Sequence, residues 1–259
     1  MDLGLTGKLA VITGGSQGIG LGIARSFARE GADVVITART EDKVRAAAAA
    51  IAEDFGTRAI PVASDVSTTE GCQAVIDAAR EAGGADIFVS NAGTGSNETI
   101  AEAPDEKWTE FWNLHVMAAV RLSRGLAPQM EAKGGGAMLM NASICAVQPL
   151  WYEPIYNTTK AALLMFGKCL STEMIGRGIR VNTVNPGLIH TPDWENTARE
   201  LRGDDWQDYL TEVAEEHADI KRFASVEELA DFCVFLCSDR ASYVVGSAVH
   251  VDGGMKKTV

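Results

Sequence analysis

The chain has 259 residues, with 23 Lys or Arg and 35 Asp or Glu, which gives a formal net charge of −12. This acidity disfavours nucleic acid as a partner, because phosphates attract clustered basic side chains. No apolar run reaches the ~18 residues that cross a bilayer, and Asp2 stands where a secretory signal would carry basic charge. The five cysteines are odd in number and include no CxxC pair, so we expect reduced thiols in a cytoplasmic protein, and no metal site.

Seven short runs of mostly apolar, β-branched residues alternate with longer segments whose apolar residues recur at helical spacing. This alternation predicts an α/β fold: a doubly wound, mostly parallel seven-stranded sheet with helices on both faces, of the Rossmann type. Pro61 lies inside the third run, and since proline is tolerated on edge strands, the third strand should be an edge. The runs are Lys8–Thr13, Asp33–Thr37, Arg58–Val62, Asp86–Ser90, Ala137–Asn141, Ile179–Val184 and Ala248–Val251.

No linker, repeat or low-complexity segment divides the chain, which predicts one nucleotide-binding domain over residues 1–259. The least regular region lies between the last two runs, at about residues 188–222. It is rich in charge and is interrupted by Pro192 and Gly203. We expect it to form a substrate loop or lid with a helix of its own, since long irregular connections often carry function.

A glycine-rich turn of sequence TGGSQGIG, residues 13–20, follows the first run and precedes a helix. Such a turn lets backbone N–H groups approach a pyrophosphate, and the N-terminus of the helix adds partial positive charge. The turn therefore predicts a dinucleotide site. Its expected contacts are Gly14, Ser16, Gln17, Gly18, Ile19 and Gly20.

Further motifs follow the ends of the later runs. They are Asp65-Val66, Asn91-Ala92-Gly93, Ser143, the Tyr156…Lys160 pair, Pro186-Gly187 with Thr191, and the tail Val251-Asp252-Gly253-Gly254. With the TGxxxGxG turn, they make the chain resemble the short-chain dehydrogenase/reductase family over about residues 5–254. The resemblance implies hydride transfer with a nicotinamide cofactor. The cofactor contacts that it adds are Asp65, Val66, Asn91, Ala92, Gly93, Tyr156, Lys160, Pro186, Gly187, Ile189 and Thr191.

The choice between NADP and NAD depends on the residues that end the second run. A carboxylate there would accept the ribose hydroxyls of NAD and repel a 2′-phosphate, but the family's usual aspartate position holds Ala38. The neighbouring Arg39 could hold that phosphate through a forked, charge-assisted contact. The family's second NADP marker, a basic residue before Gly18, is absent because Gln17 stands there. We therefore favour NADP(H) and leave NAD(H) open.

The candidate catalytic residues are Ser143, Tyr156 and Lys160. Tyr156 and Lys160 are four residues apart on a predicted helix and so share one face. A free tyrosine has a pKa near 10, and we expect the nearby ammonium of Lys160 to lower the pKa of Tyr156 so that it can exchange a proton with an alcohol or ketone. Ser143, at the carboxyl end of a strand, would hydrogen-bond the substrate oxygen where charge develops.

His115 stands where the family has its fourth catalytic residue, an asparagine on the preceding helix. In the family that residue acts largely through its main-chain carbonyl, which holds a water of a proton relay to the lysine. A histidine could keep this role, or its imidazole, with a pKa near 6.5, could join the relay. A packed histidine without a chemical role is equally compatible with the sequence.

The substrate is less well defined. An apolar and aromatic stretch between Ser143 and Tyr156, together with Trp151 in it and Trp194 in the expected lid, favours a small apolar or cyclic ketone. The same residues could be core or interface packing. Ser143, Tyr156, Trp151 and Trp194 are the expected substrate contacts.

The chain is thus predicted to transfer hydride between NADP(H) and a secondary alcohol or ketone, acting on a small molecule rather than on nucleic acid or a membrane. One alternative is reduction of 3-oxoacyl groups on a carrier protein or CoA, which the negative charge of the chain disfavours. A second is a nicotinamide-binding sensor or scaffold whose catalysis is weakened at His115. The family resemblance also implies a homotetramer or homodimer.

Overall fold

The structure is a computed structural model that describes residues 1–149 and 153–258. Within this part of the chain, seven strands form one parallel sheet in the order β3-β2-β1-β4-β5-β6-β7. The predicted fold class is therefore confirmed, and Pro61 does lie on an edge strand, paired with Ile36 of the second strand. The strands are β1 (Leu9–Thr13), β2 (Asp33–Ala38), β3 (Ala59–Ala63), β4 (Ile87–Ser90), β5 (Gly136–Asn141), β6 (Ile179–Pro186) and β7 (Ala248–Val251).

Helices connect the strands and cover both faces of the sheet. They are α1 (Gly18–Arg29), α2 (Glu41–Phe55), α3 (Thr69–Glu81), α4 (Asp105–Trp112), α5 (Ala118–Ala132), α6 (Pro154–Met174), α7 (Pro192–Arg202), α8 (Trp206–His217) and α9 (Val226–Cys237). Between α4 and α5 the backbone makes one π-helical turn, Asn113–Met117, so that the three segments form a continuous helical run. No helix in the described residues is long and apolar enough to cross a membrane.

Two apolar layers hold the sheet between the helices. Alternate side chains of β1 point to opposite faces, as strand geometry requires: Ala10 and Ile12 enter the layer under α1, α2 and α9, whereas Leu9 and Val11 enter the layer under α3, α5 and α6. All of β1 is buried. Its carboxyl end, and those of the other parallel strands, therefore meet at one rigid edge where a site can be assembled.

The region expected to be a lid contains two helices, α7 and α8, joined by a short 3₁₀ turn, rather than one. The side chain of Thr191 caps the start of α7 by accepting a hydrogen bond from the Trp194 N–H at 3.4 Å. The segment returns to the body of the protein at a backbone bridge between Ile189 and Ala224. It thus stands over the carboxyl ends of the strands as a helical hairpin.

Candidate active site

Ser143, Tyr156 and Lys160 come together at the carboxyl edge of the sheet. Ser143 lies two residues beyond the end of β5, and its hydroxyl group accepts a hydrogen bond from the Cys145 N–H at 3.1 Å. The same hydroxyl hydrogen-bonds the side chain of Tyr156, which α6 supplies together with Lys160. All three side chains are largely enclosed, so charges that develop here are weakly screened by water.

Lys160 is held by the end of β5. Its Nζ donates a hydrogen bond to the Asn141 carbonyl oxygen at 2.9 Å and lies 5.4 Å from the centre of the Tyr156 ring. Burial lowers the pKa of Lys160 to about 8, because the charged ammonium is poorly solvated.

The expectation of a lowered pKa for Tyr156 is wrong for the chain itself. Burial raises the pKa of Tyr156 above its ordinary value, a neighbouring Cys145 adds to this rise, and the hydrogen bond from Ser143 opposes it. The physical reason is that desolvation disfavours the phenolate more than the described neighbours favour it. Tyr156 therefore keeps its proton throughout the neutral range, as a proton donor to a ketone must.

His115 lies in the π-helical turn, and both nitrogens of its ring are engaged by the protein. The Thr94 N–H donates to Nε2 at 3.2 Å, so the ring proton is on Nδ1, which lies 2.8 Å from the hydroxyl oxygen of Thr159. Burial, and secondarily the charge of Lys160, hold the pKa of His115 well below its usual value. The neutral imidazole thus bridges the segment after β4 to the helix that carries Tyr156 and Lys160.

This bridge predicts how His115 variants behave. His115→Asn can still donate to Thr159 but is too short to reach Thr94 as well, so we expect kcat within about tenfold of the wild type. His115→Leu leaves the Thr94 N–H unsatisfied, at a cost of about 1–3 kcal/mol, and should lower kcat by about a further tenfold. The measurement is kcat between pH 5 and 8. A titration near pH 6.5 in the wild type that the Asn variant lacks would contradict a neutral, positioning role.

The glycine turn has the geometry that a pyrophosphate requires. Gly14 and Gly18 have positive φ values of 68° and 55°, and a Cβ on Gly20 would lie 2.2 Å from the Gly14 carbonyl oxygen. The N-terminus of α1 has no side-chain cap and no acidic residue in its first turn. Its N–H groups therefore remain available to an anion, so the residues present fit a dinucleotide phosphate.

The motifs that follow the other strands lie along the same edge. Thr13 ties β1 to β4, because its Oγ1 accepts hydrogen bonds from the N–H groups of Asn91 and Ala92, each at 2.9 Å. Gly93 faces the core of the site: a Cβ there would lie 3.0 Å from His115 Nε2 and 3.6 Å from Lys160 Nζ. The strand ends therefore form one continuous rim.

Two further groups of expected cofactor contacts, Asp65-Val66 and Arg39, also lie at strand ends. Asp65 follows β3, with its carboxylate accepting from the Ser67 N–H at 2.9 Å, and Val66 beside it is buried. Arg39 directly follows β2 and is exposed, and within the described residues its guanidinium has no hydrogen-bond or ion-pair partner. A phosphate on the cofactor ribose would find this group free.

The segment after β6 also reaches the glycine turn. The point where a Cβ on Gly18 would stand is 3.7 Å from the Thr191 side chain, and Gln17 Nε2 lies 3.4 Å from the Asp193 carboxylate. Ile189 is buried in the core, so only its backbone faces the edge of the sheet. The start of α7 thus stands against the predicted pyrophosphate site, as expected from Thr191.

An apolar cluster borders the catalytic side chains. It comprises Ile144, Cys145, Leu188, Ala214, Ala218 and Met255, with Tyr156, Trp194, Val213 and Phe223 packed against it. The Trp194 and Phe223 rings meet edge to face at 5.2 Å. Trp194 therefore packs in the same cluster as Tyr156, whereas Trp151, the other expected aromatic contact, lies outside the described residues.

Two carboxyl groups beside the site were not among the candidates. Glu153 stands one residue before α6, and its Oε1 lies 3.2 Å from the point where a Cβ on Gly95 would stand. Burial raises the pKa of Glu153 to about 7, and the charge of Glu98 contributes to the rise. The only signal in the sequence is one acidic residue within a mostly apolar stretch, three positions before Tyr156.

Glu98 supplies the second carboxyl group. Its Oε2 pairs with Lys107 Nζ, whereas its buried Oε1 has no hydrogen-bond partner among the described residues, and neither has the buried hydroxyl of Ser96. Polar atoms buried without partners cost free energy unless something else satisfies them. The segment between Gly95 and Glu98 thus adds acceptors beside Glu153 that no described residue satisfies.

Comparison with known proteins agrees with this geometry. A family model described as enoyl-(acyl carrier protein) reductase matches residues 14–256. L-sorbose reductase from Gluconobacter frateurii, solved with NADPH and L-sorbose, is 65% identical over 100% of both chains, with a TM-score of 0.99. The 3-oxoacyl-[acyl-carrier-protein] reductase of Escherichia coli is 32% identical, covering 96% of this chain and 97% of its own.

Dehydrogenase/reductase SDR family member 4 of the pig, Sus scrofa, is 35% identical over 96% of this chain and 88% of its own length. Its match and that of the family model both include the glycine turn and the segment that carries Ser143, Tyr156 and Lys160. The chain belongs to the short-chain dehydrogenase/reductase family and is an oxidoreductase of that type.

Proposed function

We propose that this oxidoreductase transfers hydride between NADP(H) and a polyhydroxylated ketone, such as a ketose, and the corresponding alcohol. The observation that carries the proposal is Glu153, a largely buried carboxyl group beside Ser143 and Tyr156 that makes no ion pair with the described residues. A carboxylate at such a place is suited to accept hydrogen bonds from substrate hydroxyls. Against an apolar ring or an acyl chain, its charge would be buried without a hydrogen-bond partner, which costs free energy.

The catalytic roles follow from the positions of the side chains. NADPH, when bound, supplies the hydride that the carbonyl carbon receives. Tyr156 keeps its proton in the neutral range and donates it to the carbonyl oxygen, while the hydroxyl of Ser143 stabilises the charge that develops on that oxygen. The charged form of Lys160, next to the Tyr156 ring, stabilises the phenolate that remains.

The relatives strengthen the substrate class. The 65% identical protein was crystallised with L-sorbose, a ketose, and with NADPH. The apolar cluster around Ile144 and Leu188 would then pack against the carbon skeleton, and the carboxyl groups of Glu153 and Glu98 would receive hydroxyls. The aromatic residues that suggest an apolar ketone in the sequence would thus form one side of the substrate site, and the carboxyl groups would form the other.

NADP(H) is favoured by the unpaired Arg39 at the end of β2 and by the NADPH found in the sorbose reductase. We expect Arg39→Asp to raise the KM for NADPH by about 10²-fold and to change the KM for NADH little, because a charge-assisted hydrogen bond is worth about 1.5–3 kcal/mol. Steady-state kinetics with both cofactors is the measurement.

A control for this substitution lies on the side of the sheet where the strands begin. Arg80 is an exposed arginine at the carboxyl end of α3, where the chain leads into the start of β4, and Arg80→Asp makes the same change of charge there. It should affect neither cofactor. Equal losses for NADPH and NADH in the Arg39 variant would contradict the assignment to the 2′-phosphate.

The test of the whole proposal is oxidation of NADPH by the purified protein over a matched panel of ketones. The panel contains L-sorbose and other ketoses, cyclohexanone, and an acetoacetyl thioester. Preference for a ketose by 10-fold or more in kcat/KM supports the proposal, and preference for the thioester would replace it with 3-oxoacyl reduction. Tight binding of NADPH with no turnover on any member would favour a sensor or scaffold.

A homo-oligomeric state stays a prediction, which sedimentation of the same sample would decide.

A further inference from the structure

The side chain of Gln148 joins the segment between Ser143 and Tyr156 to the carboxyl-terminal part of the chain. Its Nε2 donates to the Met255 carbonyl oxygen at 3.2 Å, and its Oε1 accepts from the Lys257 N–H at 3.2 Å. One amide group thus pairs with the backbone of alternate residues, as a neighbouring β-strand would. A shorter amide would not span both partners, and a carboxylate would lack the donor.

The terminal segment that Gln148 holds contributes to the wall of the candidate site. Met255 is buried in the apolar cluster with Ile144, Cys145 and Leu188, against which Tyr156 packs. A Cβ on Gly187 would lie 2.7 Å from the Met255 sulfur and 2.8 Å from the Asp252 Cα, and because the second contact is to backbone, this approach requires a glycine there. The motif glycine after β6 thus has a packing role, besides its expected one toward the cofactor.

The same terminal segment is attached to the far side of the site. The Ile220 N–H donates to the Gly253 carbonyl oxygen at 3.0 Å, and Lys257 Nζ lies 2.5 Å from the Asp219 carboxylate. Asp219 and Ile220 follow α8, at the base of the helical hairpin that stands over the strand ends. Residues 253–257 therefore connect the hairpin to the segment between Ser143 and Gln148.

We propose that Gln148 is a positioning residue for substrate binding: through residues 255–257 it fixes the segment that follows Ser143 and carries Cys145 against the base of the hairpin. The proposal deepens the proposed function and rests on it where a ketose is the substrate. It assigns to residues 255–257 an indirect role in substrate binding, although none of them takes part in proton transfer.

Gln148→Met tests this, because methionine keeps the length of the side chain and removes both hydrogen bonds. We expect the KM for the ketose to rise about tenfold, with the Kd for NADPH and the pH dependence of kcat unchanged. Gln129→Met is the matched control. Gln129 also forms hydrogen bonds with two backbone groups, the Ile76 carbonyl oxygen and the Ala85 N–H. These bonds lie on the side of the sheet where the strands begin, away from the candidate site. Gln129→Met should leave the KM unchanged.

A second pair of variants tests the backbone donor itself. Lys257→Pro removes the N–H that Gln148 accepts from, whereas Lys257→Ala removes only the ammonium group. If the contact acts as proposed, Lys257→Pro raises the KM for the ketose as Gln148→Met does. The KM of the variant that combines the two substitutions is then no higher than that of either single variant. Independent effects that multiply in the double variant, or an equal rise in Gln129→Met, would overturn the proposal.

A readout without substrate keeps this inference separate from the proposed function. Amide hydrogen exchange over residues 144–149 should be faster in Gln148→Met and Lys257→Pro than in the wild type, and unchanged in Gln129→Met. If the wild type reduces no ketose but exchange responds in this way, the substrate class is wrong and the positioning role stands. Unchanged exchange in both site variants would overturn that role whatever the substrate.

Discussion

Replacing Tyr156 by phenylalanine should lower kcat for ketone reduction by about 10³-fold while NADPH binds as in the wild type. The reason is that the substitution removes only the hydroxyl group, the proton donor that hydrogen-bonds the Ser143 hydroxyl. General acid catalysis typically contributes 10²–10⁴-fold. Steady-state kinetics gives kcat, and quenching or transfer of protein fluorescence on titration with NADPH gives the Kd.

Tyr243→Phe is the control for this loss, since Tyr243 is fully exposed and lies far along the chain from the candidate site. It should retain full activity. If Tyr156→Phe kept more than a tenth of the wild-type kcat, the proton would have to come from another group or from solvent. The role that α6 gives to Tyr156 would then have to be abandoned.

Glu153→Gln should lower kcat/KM for a ketose by about 10²-fold, since hydrogen bonds to a charged acceptor are worth about 1.5–3 kcal/mol. The pKa of Glu153, about 7, also predicts a pH dependence. Below this pKa the carboxyl group is protonated and is a poorer acceptor, so kcat/KM for the ketose should rise as the pH increases through 7. It should fall again above about 8, where Lys160 loses its proton.

The glutamine variant should lose the acidic limb of this profile and keep the alkaline one. Cyclohexanone, which has no hydroxyl groups, provides the matched control, because its kcat/KM should be nearly insensitive to Glu153→Gln. A profile that keeps its acidic limb in the variant would assign that limb to another group. An equal loss on both ketones would mean that the substitution damages the site as a whole.

The sheet could be predicted almost completely from the sequence because its signals are local. Each buried parallel strand is a short run of apolar, β-branched residues, and the run Ala248–Val251 coincides with β7. The ends of the others differ by one or two residues, as for β6, which extends to Pro186. Pro61 even identified an edge strand, since a missing N–H is tolerated only there.

The catalytic trio was predictable for a related reason: the spacing of residues on one helix and the end of one strand determine where they meet. The polar side of the site was not. Glu153 and Glu98 are distant in sequence and come together only because the segment after β4 folds against the start of α6. Gln148 and Lys257 are 109 residues apart, and neither type is unusual where it stands. Such contacts depend on the folded arrangement of several loops, which no local pattern encodes.

His115 owes its direction to the single π turn at Asn113–Met117, and this has a consequence for insertions and deletions. A π turn is equivalent to one residue added to an α-helix, and each residue of an α-helix turns the chain by about 100°. Deleting one residue there would restore a regular α-helix, which leaves α4 in phase with α5 but turns the side chains of the turn itself, His115 among them. Phe111, now buried with its ring 5.3 Å from His115, and the half-exposed Trp112 would keep their directions, whereas His115 would lose its place between Thr94 and Thr159. Changes of length at this turn should therefore be tolerated less than changes of residue type, and the length of the helical run is itself part of the site.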